Sequence, residues 1–221
     1  MFDNIAHRYD FLNRFLSVGI DTIWRKRVLK LLKKDAPKTI LDVATGTGDL
    51  AIELSKLDVE KITGLDISKQ MLEKARVKVR NKKLTDKIEM VYGDSENLSF
   101  SDNSFSAATV SFGVRNFGNL EKGLSEINRV LESNGRIVVL EFSKPTIFPV
   151  KQVFGFYFKV ILPLVGRFFS KDPRAYTYLQ ESVQAFPEGK AFLTILDKTG
   201  FKNTECIPLT FGICSMYTGT K

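Results

Sequence analysis

The chain has 221 residues, 33 Lys+Arg against 25 Asp+Glu, 18 Phe, 2 Cys and 1 His, and a formal net charge of +8. That length predicts one domain with its own core, and a hydrophobic content of 43% excludes a disordered or low-complexity chain. Cys206 and Cys214 are too few for a disulfide framework and lack metal-ligand spacing, the lone His7 excludes a histidine-rich metal site, and a reducing cytoplasmic setting is expected.

Residues 4–16 read as a short helix, and 21–34 as a longer basic helix that stops before Pro37. Thr39–Val43 is a short apolar run closed by glycines, hence a buried strand. Asp49–Leu57 reads as a helix, and Lys61–Asp66 as a second strand ending in an acid. Ser68 is placed to cap a helix through about Arg80, because its hydroxyl can accept free N–H groups of the first turn. Ile88–Tyr92 and Phe105–Ser111 read as strands, Leu120–Leu131 as a helix, and Arg136–Phe142 as a fifth strand after Asn134-Gly135. Residues 147–185 read as mostly helical, broken by Pro163 and Pro173. Lys190–Thr199 is a helix stopped by Gly200. Phe201–Pro208 and Phe211–Thr218 read as strands with too few residues between them for a crossover, so they pair antiparallel.

Alternating strands and helices predict an α/β fold, with a doubly wound, mostly parallel sheet and an antiparallel C-terminal strand pair. The divisions expected are a helical arm over 1–38, a cofactor-binding core over 39–143, a helical aromatic cap over 144–186, and a final helix and strand pair over 187–221. Charge follows these divisions. Residues 1–38 and 144–221 each carry +5, and residues 39–143 carry −2. Seven of the 18 Phe lie within residues 142–169, and from Lys144 to Ser170 there are four basic residues and no acid. One reading is a core helix with its lysines in water. The other is an aromatic lid over an apolar ligand at an anionic membrane surface. Lys159, Pro163 and Arg167 interrupt the apolar run before it reaches a membrane-spanning length, and residues 1–4 have no signal-peptide pattern.

The segment from Leu41 to Leu50 follows a strand and opens a helix, and it contains Gly46-Thr47-Gly48. Glycines there let the backbone pass close under a ligand. Asp66 ends the next strand, where a carboxylate can accept ribose hydroxyls. Asp94, with Ser95 beside it, can accept from an adenine amino group. The glycines also fit a relaxed dinucleotide pattern, and a ligand-free turn is the plain alternative. Two features favour S-adenosylmethionine over a dinucleotide. Asp42 at the strand end can pair, directly or through water, with a methionine ammonium but would repel a pyrophosphate. The antiparallel C-terminal pair also suits a methyltransferase sheet.

The ordered set of segments is more specific than the glycine loop. Near the start are Phe2-Asp3, Ile5-Ala6, Tyr9-Asp10 and Asn13, then Ser17, Gly19 and Trp24-Arg25-Lys26. After the loop come Phe100, Asp102-Asn103 and Phe105, then Ser111-Phe112-Gly113-Val114-Arg115-Asn116 and Leu140-Glu141-Phe142-Ser143-Lys144-Pro145. Tyr176, Tyr178-Leu179, Glu181-Ser182 and Phe186-Pro187 complete it. With these residues the sequence resembles the ubiquinone/menaquinone biosynthesis C-methyltransferase family, within the class I methyltransferases, over nearly its whole length. The resemblance implies cofactor contacts at Thr47, Asp66, Asp94, Ser95 and Ser111, and methylation of a ring carbon on a polyprenylated quinol. Asp21 departs from it, since many members carry histidine in that segment, and the family motif begins at Phe2 with almost no leader.

A hydroquinol carbon is a weak nucleophile until a ring hydroxyl loses its proton, so the site needs a base or a cation, and no metal. Arg115 and Asn116 follow the fourth strand at the carboxyl edge of the sheet. The expectation is that Arg115 stabilises a quinolate or orients a water, and that Asn116 hydrogen-bonds a ring oxygen. The structural alternative is that Arg115 pairs with an acid such as Glu141. Tyr9 and Asn13 share a helical face that can close over the site, and Asp10 is a candidate proton acceptor once buried. His7 reads as a surface residue, Trp24 as either an anchor for the arm or core filling, and the cysteines as core. The basic charge also invites a nucleic-acid methyltransferase, but there is no Asn/Asp-Pro-Pro-aromatic motif, no catalytic-loop cysteine and no basic run. A small-molecule O-methyltransferase and a non-catalytic subunit are further rivals. No nucleic-acid partner is expected, and naphthoquinol against benzoquinol, and monomer against homo-oligomer, stay open.

Overall fold

A computed structural model describes residues 19–157, 160 and 174–221. In chain order the described elements are α1 (Asp21–Asp35), β1 (Thr39–Val43), α2 (Asp49–Leu54), β2 (Lys61–Asp66), α3 (Lys69–Asn81), β3 (Ile88–Tyr92) and β4 (Phe105–Ser111). They continue with α4 (Leu120–Val130), β5 (Leu131–Phe142), α5 (Val150–Phe156), α6 (Arg174–Ala185), α7 (Lys190–Lys198), β6 (Lys202–Leu209) and β7 (Cys214–Thr220). The strands form one seven-stranded sheet in the order β3-β2-β1-β4-β5-β7-β6. β1 to β5 pair parallel, and β7 pairs antiparallel with both β5 and β6. The chain winds outward from β1 to β3, then returns to lay β4 on the other side of β1. That reversal opens a crevice beyond the carboxyl ends of β1 and β4, where open α/β sheets bind ligands.

The two faces of the sheet bury different sets of side chains. Successive residues of a strand point to opposite faces. Ile40 and Ile62 therefore join one apolar cluster, and Leu41, Val43 and Leu65 join the other. α1 covers the first face with Trp24, Val28 and Leu32, spaced by one helical turn and all buried. Trp24 packs against Phe112 and Phe142, with ring centroids 5.8 Å and 6.2 Å away, and its indole N–H donates to Thr210 Oγ1 at 2.8 Å. It is thus both core filling and the peg that joins α1 to the sheet. Phe192 and Tyr217 fill the second face, 4.7 Å between ring centroids.

Local chemistry explains most boundaries. Ser68 accepts from Met71 N–H at 3.2 Å and caps α3. Asn119 does the same for α4 through Lys122 N–H at 3.0 Å. Four expectations need correction. α2 stops at Leu54 rather than Leu57, because Ser55 Oγ donates to the Ile52 carbonyl and Lys87 Nζ ties off the Ser55 and Leu57 carbonyls. β5 begins at Leu131, where the sequence predicts the end of a helix. Its pairing with β4 jumps from Phe105↔Leu131 to Ala107↔Arg136, so Asn134-Gly135 is a bulge inside the strand and not a turn before it. α7 ends at Lys198, one residue early. β7 begins at Cys214 and not at Phe211, because Thr210 and Phe211 hold φ of 46° and 58°, which no strand residue adopts. The predicted helix over 4–16, and the middle of the predicted cap, lie outside the described residues. Cys214 is buried and Cys206 is half-buried, as expected of core residues, and burial raises both thiol pKa values.

Candidate active site

β1 carries the chain into a loop where Ala44, Gly46 and Gly48 have φ of 53°, 56° and 80°. Three left-handed residues in five fold the backbone sharply under the crevice. Across the crevice, a Cβ on Gly113 would lie 2.5 Å from the Ala44 Cβ, so only glycine lets the segment after β4 approach this loop. Asp66 at the end of β2 pins the loop. Its Oδ2 accepts from Gly46 N–H at 2.7 Å, and its Oδ1 accepts from Ser68 N–H at 2.8 Å.

Two cavities share the wall made by Ala44, Gly46 and Phe112. The larger, of about 330 Å³, is lined by Asp66, Asp94, Ser95, Glu96 and Asn116, and by the apolar Leu65, Ile67, Met71 and Phe117. Asp94 Oδ1 accepts from Glu96 N–H at 2.9 Å, which turns the chain at the mouth of β3. Asn116 Oδ1 accepts from the Tyr178 hydroxyl at 2.9 Å, tying α6 to the cavity wall. The smaller cavity is lined by Arg25, Asp42, Thr45, Thr47, Asp49 and Ser111.

The predicted site residues do not all sit as expected. Asp42 is buried, and each of its oxygens is already met by a hydroxyl, Thr45 Oγ1 and Thr109 Oγ1, both at 2.6 Å. Its carboxylate therefore braces the loop from beneath, and it also lines the smaller cavity. Thr47 is buried as well, and its hydroxyl accepts from Lys78 Nζ at 2.9 Å. Arg115 does not line either cavity. Its Nη1 donates to Glu141 Oε1 at 2.6 Å and to the Phe112 carbonyl at 2.7 Å, and its guanidinium lies 5.8 Å from the centre of the Phe142 ring. The alternative pairing with Glu141 is therefore present. Arg115 Nε is buried without a partner among the described residues. Glu141 is fully buried, and it also accepts from Phe142 N–H at 2.9 Å. Burial pushes its carboxyl above the usual range, and the charge of Arg115 opposes that rise. Tyr9 and Asp10, with Asn13 and His7, lie outside the described residues.

Some wall residues escaped the sequence reading. Ile67, Met71 and Phe117 carried no signal beyond ordinary hydrophobicity. Arg25 reaches the small cavity from α1, where it pairs with Asp21 at 2.7 Å and with Asp49 at 3.8 Å. The Asp21–Arg25 spacing of one helical turn was the available clue to the first of these pairs.

Burial also lifts the Asp42 pKa to about 6, against the two hydroxyl hydrogen bonds, which lower it. A carboxyl whose folded pKa exceeds its unfolded value binds more protons when folded, so its contribution to stability falls as pH rises from about 4 to about 6 and is flat above. The fall amounts to roughly 2–3 kcal/mol. Asp42→Asn should remove that slope, as read by urea unfolding at a series of pH values. Unchanged pH dependence in the variant would show that Asp42 is not the group responsible.

The fold supports the class of protein. A S-adenosylmethionine-dependent methyltransferase from Aquifex aeolicus superposes with a TM-score of 0.62 at 19% identity, covering 86% of this chain and 87% of its own. The [4+2]-cyclase SpnF superposes at 0.64 and 17% identity, over 88% of this chain and 80% of its own, so the fold by itself does not decide the reaction. The seven-stranded sheet, parallel from β1 to β5 with an antiparallel β7, is that of the class I S-adenosylmethionine-dependent methyltransferases. A demethylmenaquinone methyltransferase of Bacteroides fragilis is 47% identical over 222 residues, covering 100% of this chain and 91% of the relative. A ubiquinone/menaquinone biosynthesis C-methyltransferase of Citrifermentans bemidjiense is 43% identical over 223 residues, with 100% and 94% covered. The chain belongs to the ubiE/COQ5 methyltransferase family, whose model matches residues 1–221. It is a C-methyltransferase, and S-adenosylmethionine is its cofactor.

Proposed function

We propose that this enzyme methylates a ring carbon of a polyprenylated quinol, converting demethylmenaquinol to menaquinol. The observation that carries the reading is the full-length 47% identity to a demethylmenaquinone methyltransferase. The site's geometry is compatible with it. The larger cavity takes the adenosine, with Asp66 accepting from the ribose, Asp94 and Ser95 at the adenine edge, and Ile67, Met71 and Phe117 against the flat faces. The polar smaller cavity, with Ser111 and Thr47, takes the methionine end, and Asp42 with Gly46 and Gly48 shapes it from below. Once bound, S-adenosylmethionine supplies a sulfonium methyl for in-line attack.

Asn116 and Arg115 serve the quinol. Because Tyr178 occupies the Asn116 carbonyl oxygen, the Asn116 amide presents its N–H groups, and these suit a ring oxygen. The role assigned to Arg115 is that of a cation that stabilises the developing phenolate. Tyr9 and Asp10, both outside the described residues, are the residues we assign to covering the substrate and to taking the phenol proton. No helix among the described residues is long and apolar enough to cross a membrane. A peripheral contact with an anionic membrane surface, from the cytoplasmic side, would bring the enzyme to its lipid substrate.

The double-pathway name of the Citrifermentans bemidjiense relative favours a benzoquinol of the ubiquinone pathway as the second reading. Methyl transfer to reduced demethylmenaquinone, a reduced benzoquinone precursor and bulk RNA, measured side by side, tests both. Label is expected in the naphthoquinol first. Label in RNA with unlabelled quinols would reject both readings.

A further inference from the structure

The smaller cavity is lined by two acids, Asp42 and Asp49, and by the hydroxyls of Thr45, Thr47 and Ser111. Arg25 is the only basic residue among the described residues that line it. It comes from α1, next to the buried Trp24 that fixes this helix on the sheet. The Arg25 side chain is only 12% exposed, so its guanidinium has been taken largely out of water. A charge placed there needs a counter-ion. Asp21, one helical turn earlier and itself buried, supplies one, with its Oδ2 2.7 Å from Arg25 Nη2.

The cavity wall does not use Arg25 up. Lys78 Nζ already donates to Asp49 Oδ1 at 2.8 Å and to Thr47 Oγ1 at 2.9 Å, which ties α3 to the start of α2 and to the glycine loop. Arg25 Nη2 stands 3.8 Å from Asp49 Oδ2, beyond hydrogen-bond distance. Both ion pairs of Arg25 therefore run through Nη2, one corner of a planar fork that carries five N–H donors. Such a fork matches the two oxygens of a carboxylate, which a lysine ammonium does not.

The chemistry of the cofactor decides what the fork is for. The methionine end of S-adenosylmethionine carries an ammonium and a carboxylate on one carbon. The acids of the cavity suit the ammonium, but by themselves they would repel the carboxylate. We infer that Arg25 binds the cofactor carboxylate, with Asp21 as the counter-ion that holds the guanidinium at the wall. The inference rests on the placement of the methionine end in the smaller cavity. It gives α1 a second task beside packing. Trp24 seats the helix, and the next residue carries a positive charge to the one part of the cofactor that is negative.

The test is isothermal titration of the full chain with S-adenosylmethionine, with its decarboxylated form and with 5′-methylthioadenosine. The decarboxylated form keeps the sulfonium and the ammonium, and 5′-methylthioadenosine lacks the whole amino-acid arm. Wild type is expected to bind S-adenosylmethionine about tenfold or more tightly than the decarboxylated form. Arg25→Gln is expected to lose about tenfold to a hundredfold on S-adenosylmethionine and to stay within about twofold on the other two, so the preference for the carboxylate disappears. No preference in wild type, a preference kept by Arg25→Gln, or an equal loss on S-adenosylmethionine and its decarboxylated form overturns the inference. The last result would show that Arg25 only braces the cavity. Arg25→Lys keeps the charge and serves if the Gln variant does not fold. It is expected to retain a smaller preference for the carboxylate, and an equal loss on both forms overturns the inference here too. Ser111→Val, which crowds the same cavity, separates the two readings. It is expected to weaken S-adenosylmethionine and its decarboxylated form alike and to spare 5′-methylthioadenosine. If it does so while Arg25→Gln keeps the preference, the role of Arg25 falls and the placement of the methionine end stands. If Ser111→Val spares all three, the placement falls, and the role of Arg25 with it.

Discussion

Glu141→Ala is expected to cost more than any other single change near the site. It would leave the Arg115 guanidinium buried with its charge unpaired, a loss of about 3–5 kcal/mol for a broken buried pair. For a chain of this size that lowers the melting temperature by roughly 10 °C. Two further donors, the Phe142 and Arg115 backbone N–H groups, lose their acceptor in the same stroke. Glu141→Gln separates stability from catalysis. It keeps the shape and one acceptor but leaves the Arg115 charge without its counter-ion, so the guanidinium can swing from its place. Turnover on demethylmenaquinol is then expected to fall roughly a hundredfold while S-adenosylmethionine affinity holds, as for loss of one charge-stabilising group. Arg115→Ala should match that loss, and the double variant should be no worse than either alone, because the residues act as a unit. Normal turnover in both single variants would leave the pair as mere scaffolding and remove Arg115 from the mechanism.

The pair also shows where sequence reasoning stops. Arg115 and Glu141 lie 26 residues apart at the ends of adjacent strands, and their pairing follows only once β4 and β5 are known to be neighbours. The parallel strands β1 to β4 were readable to the residue, because short β-branched runs bounded by polar or glycine turns have few alternatives. β5 and β7 were misread at their starts. Asn134-Gly135 has the chemistry of a turn yet forms a bulge, and Phe211 has the chemistry of a strand yet sits at a positive φ. In both, the chain's neighbours overrule the local signal. Asp42 shows another limit. Its place in the sequence suggests a carboxylate that pairs with a methionine ammonium, directly or through water, and only the folded structure shows that two threonine hydroxyls also meet it. Burial and second partners are properties of the packing, so a linear pattern finds the residue but not its full set of partners.

Asp66 is the opposite case, where the residue's structural task and the binding task proposed for it coincide. Both of its oxygens accept backbone N–H groups, one from the glycine loop and one from the turn that starts α3, while its side chain borders the large cavity. Asp66→Ala removes both acceptors and, with them, the ribose contact proposed above. S-adenosylmethionine affinity is expected to fall about a hundredfold to a thousandfold, or about 3–4 kcal/mol, in isothermal titration. Asp66→Asn should do little better, although it is isosteric. Two N–H donors face the two oxygens, so an amide must point its own NH₂ at one of them. Asp94→Ala gives the contrast. Asp94 is exposed and braces only the local turn at Glu96, so its removal should cost about tenfold in affinity and little stability. If Asp66→Asn bound the cofactor as well as wild type, the carboxylate would not be what fixes the loop, and the adenosine would have to be placed elsewhere in the crevice.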